Sequence, residues 1–414
     1  MTEWKTYKLG DIAEVQTGPF GSQLHNKDYA LVGSPIVTVE HLGNRHFTTQ
    51  NLPLVSDTDK ARLSKYILSE GDIVFSRVGS VDRCSYVSDK EVGWLFSGRC
   101  LRVRCNREVY PLYIYYYFCL ESVKQYIRNV AVGATMPSIN TQIMSEIPIS
   151  LPSLEEQRRI ARILGAIDDK IENNRRINTN LELQAQALYK QWFVDFEFPN
   201  EEGKPYKSSG GKMVDSELGP IPDGWSVIGY CDAVDIKGGG TPPTNNPEFW
   251  NGSIPFFTPK DVSSDCFAIH TEKSITEAGL SNCNSKLYAK DTVFITARGT
   301  VGKVVMAGCS MAMNQTNYAL VGKNELSQYF VYLLTIALVD RLLKKANGAV
   351  FNAITTRDFE DEQIVHPTNF VLGKFIDIIS PLYQQVLSIA KENETLATLR
   401  DTLLPKLMNG EIKL

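Results

Sequence analysis

The chain contains the same sequence pattern twice, with the second copy displaced by about 220 residues. In the first part of each copy the matching residues lie about 221 positions apart: Trp4 and Trp225, Asp11 and Asp232, Val15 and Ile236, and Gly18 and Gly239. Towards the end of each copy the displacement is 215, as for Gly133 and Gly348. A period of this length is too long for a solenoid repeat and indicates a duplicated domain. Two similar units imply pseudo-two-fold symmetry, which suits a partner that is itself two-fold, such as duplex DNA.

Each copy has the sequence features of a mixed α/β unit. In the first copy, turn residues separate short β-type runs: SPIVTV (34–39), GDIVFSRV (71–78) and LRVRC (101–105). A tyrosine-rich helix is predicted over residues 111–130, with a counterpart over 326–346. We expect the aromatic side chains of both helices to pack in a core rather than to stack on bases.

Glycine-rich loops occupy equivalent places in the two copies. TGPFGSQL (17–24) matches KGGGTPPTNNPEFW (237–250), and VGATMPSIN (132–140) matches NGAVFNAIT (347–355). Glycine lets a backbone approach a ligand closely, and the neighbouring Ser, Thr, Asn and Gln side chains can bind phosphates and base edges. A tight turn is the alternative explanation for each glycine.

Each copy is followed by a long predicted helix with a narrow apolar seam. The first is predicted from about Ser153 to Phe196, and Ser153 with Glu156 forms a capping box at its start. Its seam positions alternate in steps of four and three: Ile160, Leu164, Ile167, Ile171, Asn174, Asn178, Leu181, Ala185, Leu188 and Trp192. The same steps in the second helix give Phe375, Ile379, Leu382, Val386, Ile389, Asn393, Leu396, Arg400, Leu403 and Leu407. This spacing is typical of a coiled coil.

Polar residues interrupt both seams at the same place. Asn178 and Asn393 are equivalent positions near the middle of the two helices. If the helices pair antiparallel, these amides could fix the register at a cost in stability. The alternative is that both are partly solvated seam positions. Pro381 lies inside the second helix and removes one backbone donor, which predicts a kink.

The charge of the chain argues against an independent nucleic-acid binder. The net charge is -4, whereas a DNA-binding domain usually carries a basic patch. Residues 1–152 contain 16 basic and 15 acidic residues, and residues 201–367 contain 15 and 19. Local basic clusters include Arg77, Arg83, Arg99, Arg102, Arg104 and Arg107, and Lys286, Lys290, Arg298 and Lys303. They could equally form solvated strand faces. If DNA is the ligand, much of the phosphate neutralisation must come from partner subunits.

Catalytic, metal-binding and membrane motifs do not emerge from the sequence. ARGTVGK (297–303) lacks the Walker spacing, no GxGxxG is present, and NNPEFW (245–250) lacks the second proline of a methyltransferase amino-base motif. The eight cysteines show no CxxC pair, which favours a reduced, cytoplasmic setting over a disulfide frame or zinc site. The longest apolar run is too short to cross a bilayer. We therefore predict a chain without a cofactor that catalyses nothing alone.

The chain contains three stretches (151–174, 238–262 and 399–412) that resemble the specificity subunits of type I restriction–modification enzymes. The resemblance extends over nearly the whole chain. LPSLEEQRRIARILGAIDDKIENN (151–174) resembles the opening of the family's central conserved helix. LRDTLLPKLMNGEI (399–412) resembles the end of its C-terminal conserved helix, and GGGTPPTNNPEFWNGSIPFFTPKDV (238–262) resembles the start of a target recognition domain. The acidic balance departs mildly from expectation. The first unit also lacks the GGTP pattern, which suggests that the two units read different sequences.

The resemblance implies an α/β (α+β) fold in which two target recognition domains are separated by two long antiparallel coiled-coil helices. The expected domains are residues 1–152, the central helix 153–198, residues 199–367 and the C-terminal helix 368–414. Each domain would read one half of a split double-stranded DNA site. The helices would hold the domains apart and bind modification subunits. Two modification subunits are expected. Partner subunits would carry out adenine methylation and restriction.

Base or phosphate contacts are expected from the loops that differ between the units. The candidates in the first unit are Phe20, Ser22, Gln23, Arg77, Ser80 and Arg83. Those in the second are Thr241, Thr244, Asn245, Lys260, Arg298 and Thr300. Arg77 and Arg298 are the strongest, because a guanidinium can bind guanine O6 and N7 through two hydrogen bonds. Either arginine could instead pair with a carboxylate.

Two other classes of protein remain as alternatives. One is an enzyme, either a fused modification–specificity polypeptide or a free-standing DNA methyltransferase, although the cofactor and amino-base motifs are lacking. The other is a coiled-coil adaptor for ligands other than nucleic acid. Neighbouring modification and restriction genes would favour the specificity subunit over both.

Overall fold

The computed structural model describes residues 4–19, 23–25, 28–263, 265–345 and 353–414 of the 414-residue chain. The chain forms two units, and each contains part of both long helices. Unit 1 comprises residues 1–171 and 395–414, and unit 2 comprises residues 172–394. Each unit is described separately below.

Within the described residues, unit 1 contains two four-stranded sheets, one separate strand pair, several short helices and parts of the two long helices. Its strands are β1 (Lys5–Lys8), β2 (Ala13–Thr17), β3 (Tyr29–Ala30), β4 (Ser34–Val37), β5 (Leu54–Val55), β6 (Ile73–Ser76), β7 (Cys84–Tyr86), β8 (Leu95–Phe96), β9 (Cys100–Cys105) and β10 (Pro148–Leu151). Its helices are α1 (Leu9–Ile12), α2 (Asp57–Arg62), α3 (Pro111–Cys119), α4 (Glu121–Val130), α5 (Thr141–Ser145) and the start of α6 (Leu154–Tyr189). The sheets have the strand orders β2-β9-β6-β7 and β3-β5-β4-β8, and β1 pairs separately with β10.

Unit 2 repeats this plan. Its strands are β11 (Met213–Val214), β12 (Ile221–Pro222), β13 (Ser226–Gly229), β14 (Val234–Gly238), β15 (Trp250–Phe257), β16 (Phe267–Ala268), β17 (Lys273–Ile275), β18 (Val293–Thr296), β19 (Val304–Ala307), β20 (Ala312–Met313), β21 (Asn317–Gly322) and β22 (Gln363–His366). Its helices are α7 (Tyr230–Ala233), α8 (Glu277–Ser281), α9 (Gln328–Lys345), α10 (Thr356–Glu360) and most of α11 (Asn369–Met408).

The two units share most of their strand order, although β3 of unit 1 and β11, β12 and β16 of unit 2 have no counterpart within the described residues. The order β14-β21-β18-β19-β16 in unit 2 matches β2-β9-β6-β7 in unit 1, with β16 added at the end. The order β17-β15-β20 matches β5-β4-β8, and β13 pairs with β22 as β1 does with β10. The duplication in the sequence is therefore a duplication of the fold, as predicted.

The aromatic helices supply the cores of both units. Tyr113, Tyr116 and Phe118 of α3 are buried. The ring of Phe118 packs edge-to-face against the ring of Phe75 in β6, with the ring centroids 4.6 Å apart. The predicted single helix over residues 111–130 is wrong in one respect, because it is two helices that meet at Leu120. Leu120 has an extended conformation (φ -59°, ψ 131°), so the helical hydrogen bonds stop there. Apolar periodicity alone did not reveal this break.

Two long helices were predicted and both are present. In α6 the Ser153 hydroxyl accepts a hydrogen bond from the Glu156 amide at 3.3 Å, which caps the helix start. A turn of π-helix over Lys190–Val194 follows α6. Helix α11 runs without interruption from Asn369 to Met408, through the exposed Pro381.

Side chains on the two long helices contact each other within each unit, in antiparallel order. In unit 1, Asp168 accepts hydrogen bonds from Arg400 at 2.8 Å and from Tyr116 at 2.7 Å. In unit 2, the Asn174 amide donates to Asn393 at 2.9 Å and to Glu392 at 2.8 Å.

The amide that contacts Asn393 lies one turn before Asn178 on α6. Asn174, rather than Asn178, contacts Asn393. Asn178 is buried and donates to the Val386 carbonyl at 3.1 Å. Its side-chain oxygen has no hydrogen-bond partner. Asn178 is therefore not a solvated seam position, whereas Asn393 is partly exposed.

Candidate nucleic-acid interface

Three loops of unit 1 leave one edge of the β2-β9-β6-β7 sheet. Strands β2 and β6 both run antiparallel to β9, so they end at the same edge, where β9 begins. The register places Thr17 opposite Leu101 and Ser76 opposite Cys100. The loop after β2, the hairpin 77–83 after β6 and the residues before β9 therefore lie side by side. We call this set the reading edge of unit 1.

A fourth loop, residues 132–138, is bound to the hairpin through its backbone. Gly79 N donates to Pro137 O at 2.8 Å, and Ile139 N donates to Arg77 O at 2.9 Å. Val132 and Ser138 exchange hydrogen bonds at 2.8 and 2.9 Å, which closes the loop on itself. Backbone pairing therefore fixes the position of this loop on the reading edge.

Unit 2 has the same edge. Strands β14 and β18 end where β21 begins, with Gly238 opposite Tyr318 and Thr296 opposite Asn317. Ile354 N donates to Ala297 O at 2.9 Å, as Ile139 N does to Arg77 O. The reading edge of unit 2 therefore comprises the loop after Gly238, the hairpin 297–303 and residues 314–316.

The glycines at the two edges serve backbone packing. A Cβ at Gly18 would overlap the Ser97 carbonyl, and a Cβ at the equivalent Gly239 would overlap the Asn314 carbonyl. Gly79 and Gly299, in contrast, have positive φ angles of 75° and 83° and open space around them. A tight fit to the start of the neighbouring strand thus explains the first pair, and a left-handed turn explains the second.

The candidate residues of unit 1 differ in how freely they could contact a ligand. Phe20 and Ser22 lie outside the described residues. Gln23 accepts a 2.7 Å hydrogen bond from the Tyr66 hydroxyl and lies on the loop after β2. Arg77, Ser80 and Arg83 all lie on the hairpin. Ser80 is exposed. Arg77 is half-buried and donates to Gly98 O at 3.3 Å, whereas Arg83 is exposed and donates to Leu42 O.

The candidates of unit 2 are more exposed. Thr244, Asn245, Arg298 and Thr300 are exposed on their loops, and the Thr241 hydroxyl donates to Gln315. Lys260 follows β15, whose last residue, Phe257, accepts a hydrogen bond from Asn314 N at 3.0 Å, and the Lys260 side chain is 4.0 Å from Glu272. Arg298 is not the structural equivalent of Arg77. The shared hydrogen bonds align Arg77 with Ala297, so Arg298 corresponds to Val78.

Two arginines of the basic cluster are structural. Arg102 is buried, lies 3.3 Å from Glu14 and donates to the Lys65 carbonyl. Its pKa is lowered by burial and by neighbouring Arg104. Arg104 binds Asp72 through two hydrogen bonds of 2.6 and 2.7 Å, which raise the arginine's pKa. These pairs explain part of the cluster without a ligand.

Two exposed basic residues belong to the reading edges although the site prediction left them out. Arg99 immediately precedes β9 in unit 1, and Lys303 closes the hairpin of unit 2. In the sequence analysis both residues were only members of local basic clusters, for which a solvated strand face was an alternative explanation. Only the strand register shows that Arg99 lies just before the start of β9, on the reading edge of unit 1.

The described residues contain no cluster of three metal-binding side chains, and no described helix is long and apolar enough to cross a membrane. All eight cysteines are free thiols.

Comparison with known proteins decides which family has this architecture. The type I restriction modification DNA specificity domain matches residues 1–183 and again residues 222–397. The chain belongs to this family. It is 28% identical to the MjaIX specificity subunit of Methanocaldococcus jannaschii, covering 99% of this chain and 94% of that protein. It is 24% identical to the HindI specificity subunit of Haemophilus influenzae, covering 100% of both chains.

The fold of a type I specificity subunit is also found among solved structures. The S subunit from M. genitalium covers 98% of this chain and 96% of its own, with a TM-score of 0.60 and 16% identity. Membership of the family gives this chain the role of DNA specificity in a type I restriction–modification system. Catalysis in these systems belongs to other subunits. The reading edges are therefore the candidate DNA interface of a non-catalytic specificity subunit.

We predict that Gly18→Ala destabilises this specificity subunit far more than Gly79→Ala. The new methyl group at position 18 overlaps a strand carbonyl, so the loop after β2 must move away from the edge. The methyl group at position 79 meets nothing, and its cost is about 1–2 kcal/mol for a left-handed residue. Urea denaturation of both variants measures the difference. Equal losses would contradict the packing role given to Gly18.

Proposed function

We propose that this specificity subunit reads a bipartite DNA site, with one half-site at each reading edge. The observation that carries the proposal is the repetition of one loop arrangement with different side chains. Arg77, Ser80 and Arg83 on the hairpin of unit 1 correspond to Ala297, Thr300 and Lys303 in unit 2. Equivalent backbones with different polar groups suit two different half-sites.

Long helices with a fixed register suit a spacer of defined length between the half-sites. Helix α11 has 40 residues and α6 has 36. A helix of this length spans on the order of 60 Å, or roughly 18 base pairs at about 3.4 Å per step. This length sets an upper limit on the separation of the half-sites.

The partners that we propose are double-stranded DNA, two modification subunits and restriction subunits, assembled in the cytoplasm. Two similar units offer two similar surfaces, which supports two copies of the modification subunit. These partners would methylate adenine and cut the DNA. The net charge of -4 supports a division of labour, because this chain attracts phosphates weakly and the other subunits must supply positive charge.

We assign base or phosphate contacts to the candidates predicted from the sequence, and for Phe20 and Ser22, which lie outside the described residues, the assignment rests on the sequence alone. The candidates are Phe20, Ser22, Gln23, Arg77, Ser80 and Arg83 in unit 1, and Thr241, Thr244, Asn245, Arg298 and Thr300 in unit 2. Lys260 is kept as a phosphate contact, since it lies on an exposed turn beyond β15. Arg298 is exposed on the hairpin of unit 2, and the exposed Arg99 and Lys303 join the set.

The proposal predicts that the purified chain alone binds DNA weakly and methylates nothing. Addition of the modification subunit should give strong, sequence-specific binding, since the partner supplies both the cofactor site and positive charge. Methylation sequencing of host DNA with and without the gene reveals the target, and binding to that duplex is then measured. The modification subunit alone is the control. Methyl transfer by the isolated chain would contradict the proposal.

Lengthening both helices by one heptad should lengthen the spacer and leave the half-sites unchanged. Seven residues are inserted after Ile171 and seven after Glu394, where the two units divide, so the contacts within each unit are kept. The insertion adds about 10 Å, or about three base pairs. Methylation sequencing measures the new spacer.

Five-residue insertions at the same two positions are the control. They rotate the following seam by roughly 140°, so we expect helix pairing to fail. A functional heptad variant with new half-site bases and an unchanged spacer would contradict the proposal that the helices set the spacer length.

Arg77→Ala should reduce discrimination at one base pair of the half-site. We expect a loss of about 1–3 kcal/mol if the guanidinium binds a base edge. A phosphate contact would instead weaken all sequences equally and reduce the salt dependence. Competition among single-base variants of the site, with the assembled complex, separates the two cases.

Arg107→Ala is the matched control, because this exposed arginine follows the last residue of β9, at the end of the strand that points away from the reading edge. An Arg77→Ala complex with the affinity, base preference and salt slope of the wild type removes Arg77 from the interface.

A further inference from the structure

The loop 132–138 presents apolar side chains to solvent on an otherwise polar edge. Met136 is 66% exposed and Val132 is 63% exposed, and the residues between them are exposed as well. An exposed methionine side chain contributes no hydrophobic stabilisation, whereas the same side chain buried in the core would contribute it. Packing within unit 1 therefore does not explain the choice of these side chains.

The loop is rigid enough to position Met136. Ser138 pairs with Val132 on one side and with Val78 of the hairpin on the other. Gly133 has a φ of 112°, and a Cβ there would lie 2.7 Å from the Met136 carbonyl, so the turn requires glycine. The Ser138 hydroxyl also donates to Val132 O at 3.2 Å. These bonds hold the tip beside Gly79 before any ligand binds.

The surroundings of the loop indicate what it meets. Arg77 and Arg83 lie on the adjoining hairpin, and Arg99 lies on the same edge. Asp82, the acidic residue of the hairpin, is paired with Arg128 at 2.5 Å, so its charge does not oppose a phosphate. The tip thus lies on the same edge as three arginines, whose positive charge complements a polyanion.

We propose that Met136, supported by Val132, recognises the 5-methyl group of a thymine in the half-site bound by unit 1. The proposal rests on the proposed function. In the major groove each base pair presents hydrogen-bonding atoms, and the thymine methyl is the apolar group among them. An apolar tip beside guanidinium groups adds recognition of A·T pairs to recognition of guanine.

A different use of an exposed methionine is a wedge that enters a base step from the minor groove and kinks the duplex. The observations favour methyl recognition. Met136 belongs to the same backbone-paired edge as Arg77 and Ser80, and a reader of several adjacent base edges needs these groups in one groove. The experiment below distinguishes the two uses.

The experiment uses the assembled complex and its own site. Once methylation sequencing has identified the half-site of unit 1, each thymine in it is replaced in turn by deoxyuridine, which lacks only the methyl group. For the wild-type complex we expect one replacement to weaken binding about fourfold, the value of burying one methyl-sized group. For Met136→Ala the unmodified site should weaken by a similar factor, and the same replacement should then have no further effect.

Val92→Ala is the matched control, since Val92 is 51% exposed and precedes β8, at the end of this strand that points away from the reading edge. It should keep the full deoxyuridine effect. Met136→Leu should restore most of the binding.

Several results would overturn the proposal. These are a half-site without thymine, a deoxyuridine effect of equal size in the wild type and in Met136→Ala, and no effect at any thymine. Weakening by Met136→Ala that is independent of the methyl group, with unstacking reported by 2-aminopurine fluorescence, would identify a wedge instead. A wild-type complex without sequence-specific binding would overturn the proposed function itself, and the unmodified site reveals that case before any variant is tested.

Discussion

The antiparallel pairing of α6 with α11 is the constraint on which the rest of the structure depends, because both units contain parts of both helices. An apolar seam alone permits several registers. Buried polar groups do not, since each must find its partner. Asp168 meets Arg400 in unit 1, and Asn174 meets Asn393 in unit 2. Such contacts contribute little net stability after desolvation, but a shift of one turn would leave charges and amides unpaired. The unpartnered oxygen of buried Asn178 shows that register here is held at a cost in stability.

The two units use one backbone plan for two surfaces. Gly18 and Gly239 fit against the carbonyls that precede β9 and β21, and Arg77 O and Ala297 O accept the same hydrogen bond. These positions tolerate little change, because backbone atoms rather than side chains occupy the neighbouring space. The side chains that project from the hairpins are under no such restriction. A specificity subunit can therefore acquire a new half-site by changing exposed residues while its framework remains intact.

Periodicity and duplication predicted the fold well, since both arise from burial that repeats along the chain. Local hydrogen bonding was predicted less well. The break at Leu120 lies within a continuous apolar run, and only its extended backbone conformation interrupts the helix. The partner of Asn393 was not predicted, because heptad periodicity identifies the seam of each helix but not the offset between the two helices. Among the arginines, Arg102 and Arg104 are held by Glu14 and Asp72, which lie far away in sequence. Strand register decides such pairings, and the sequence pattern does not show it.

The electrostatics of the chain bear on how reading is coupled to reaction. Much of its positive charge is consumed internally, as in the pairs of Arg104 with Asp72 and Arg128 with Asp82. Phosphate attraction is independent of sequence, so a strongly basic specificity subunit would bind DNA everywhere. A chain with a net charge of -4 keeps that contribution small, while base contacts still distinguish one site from another. Tight binding then requires subunits that bring both positive charge and catalytic groups. We therefore expect the DNA to be held firmly only in the assembly that can also modify it.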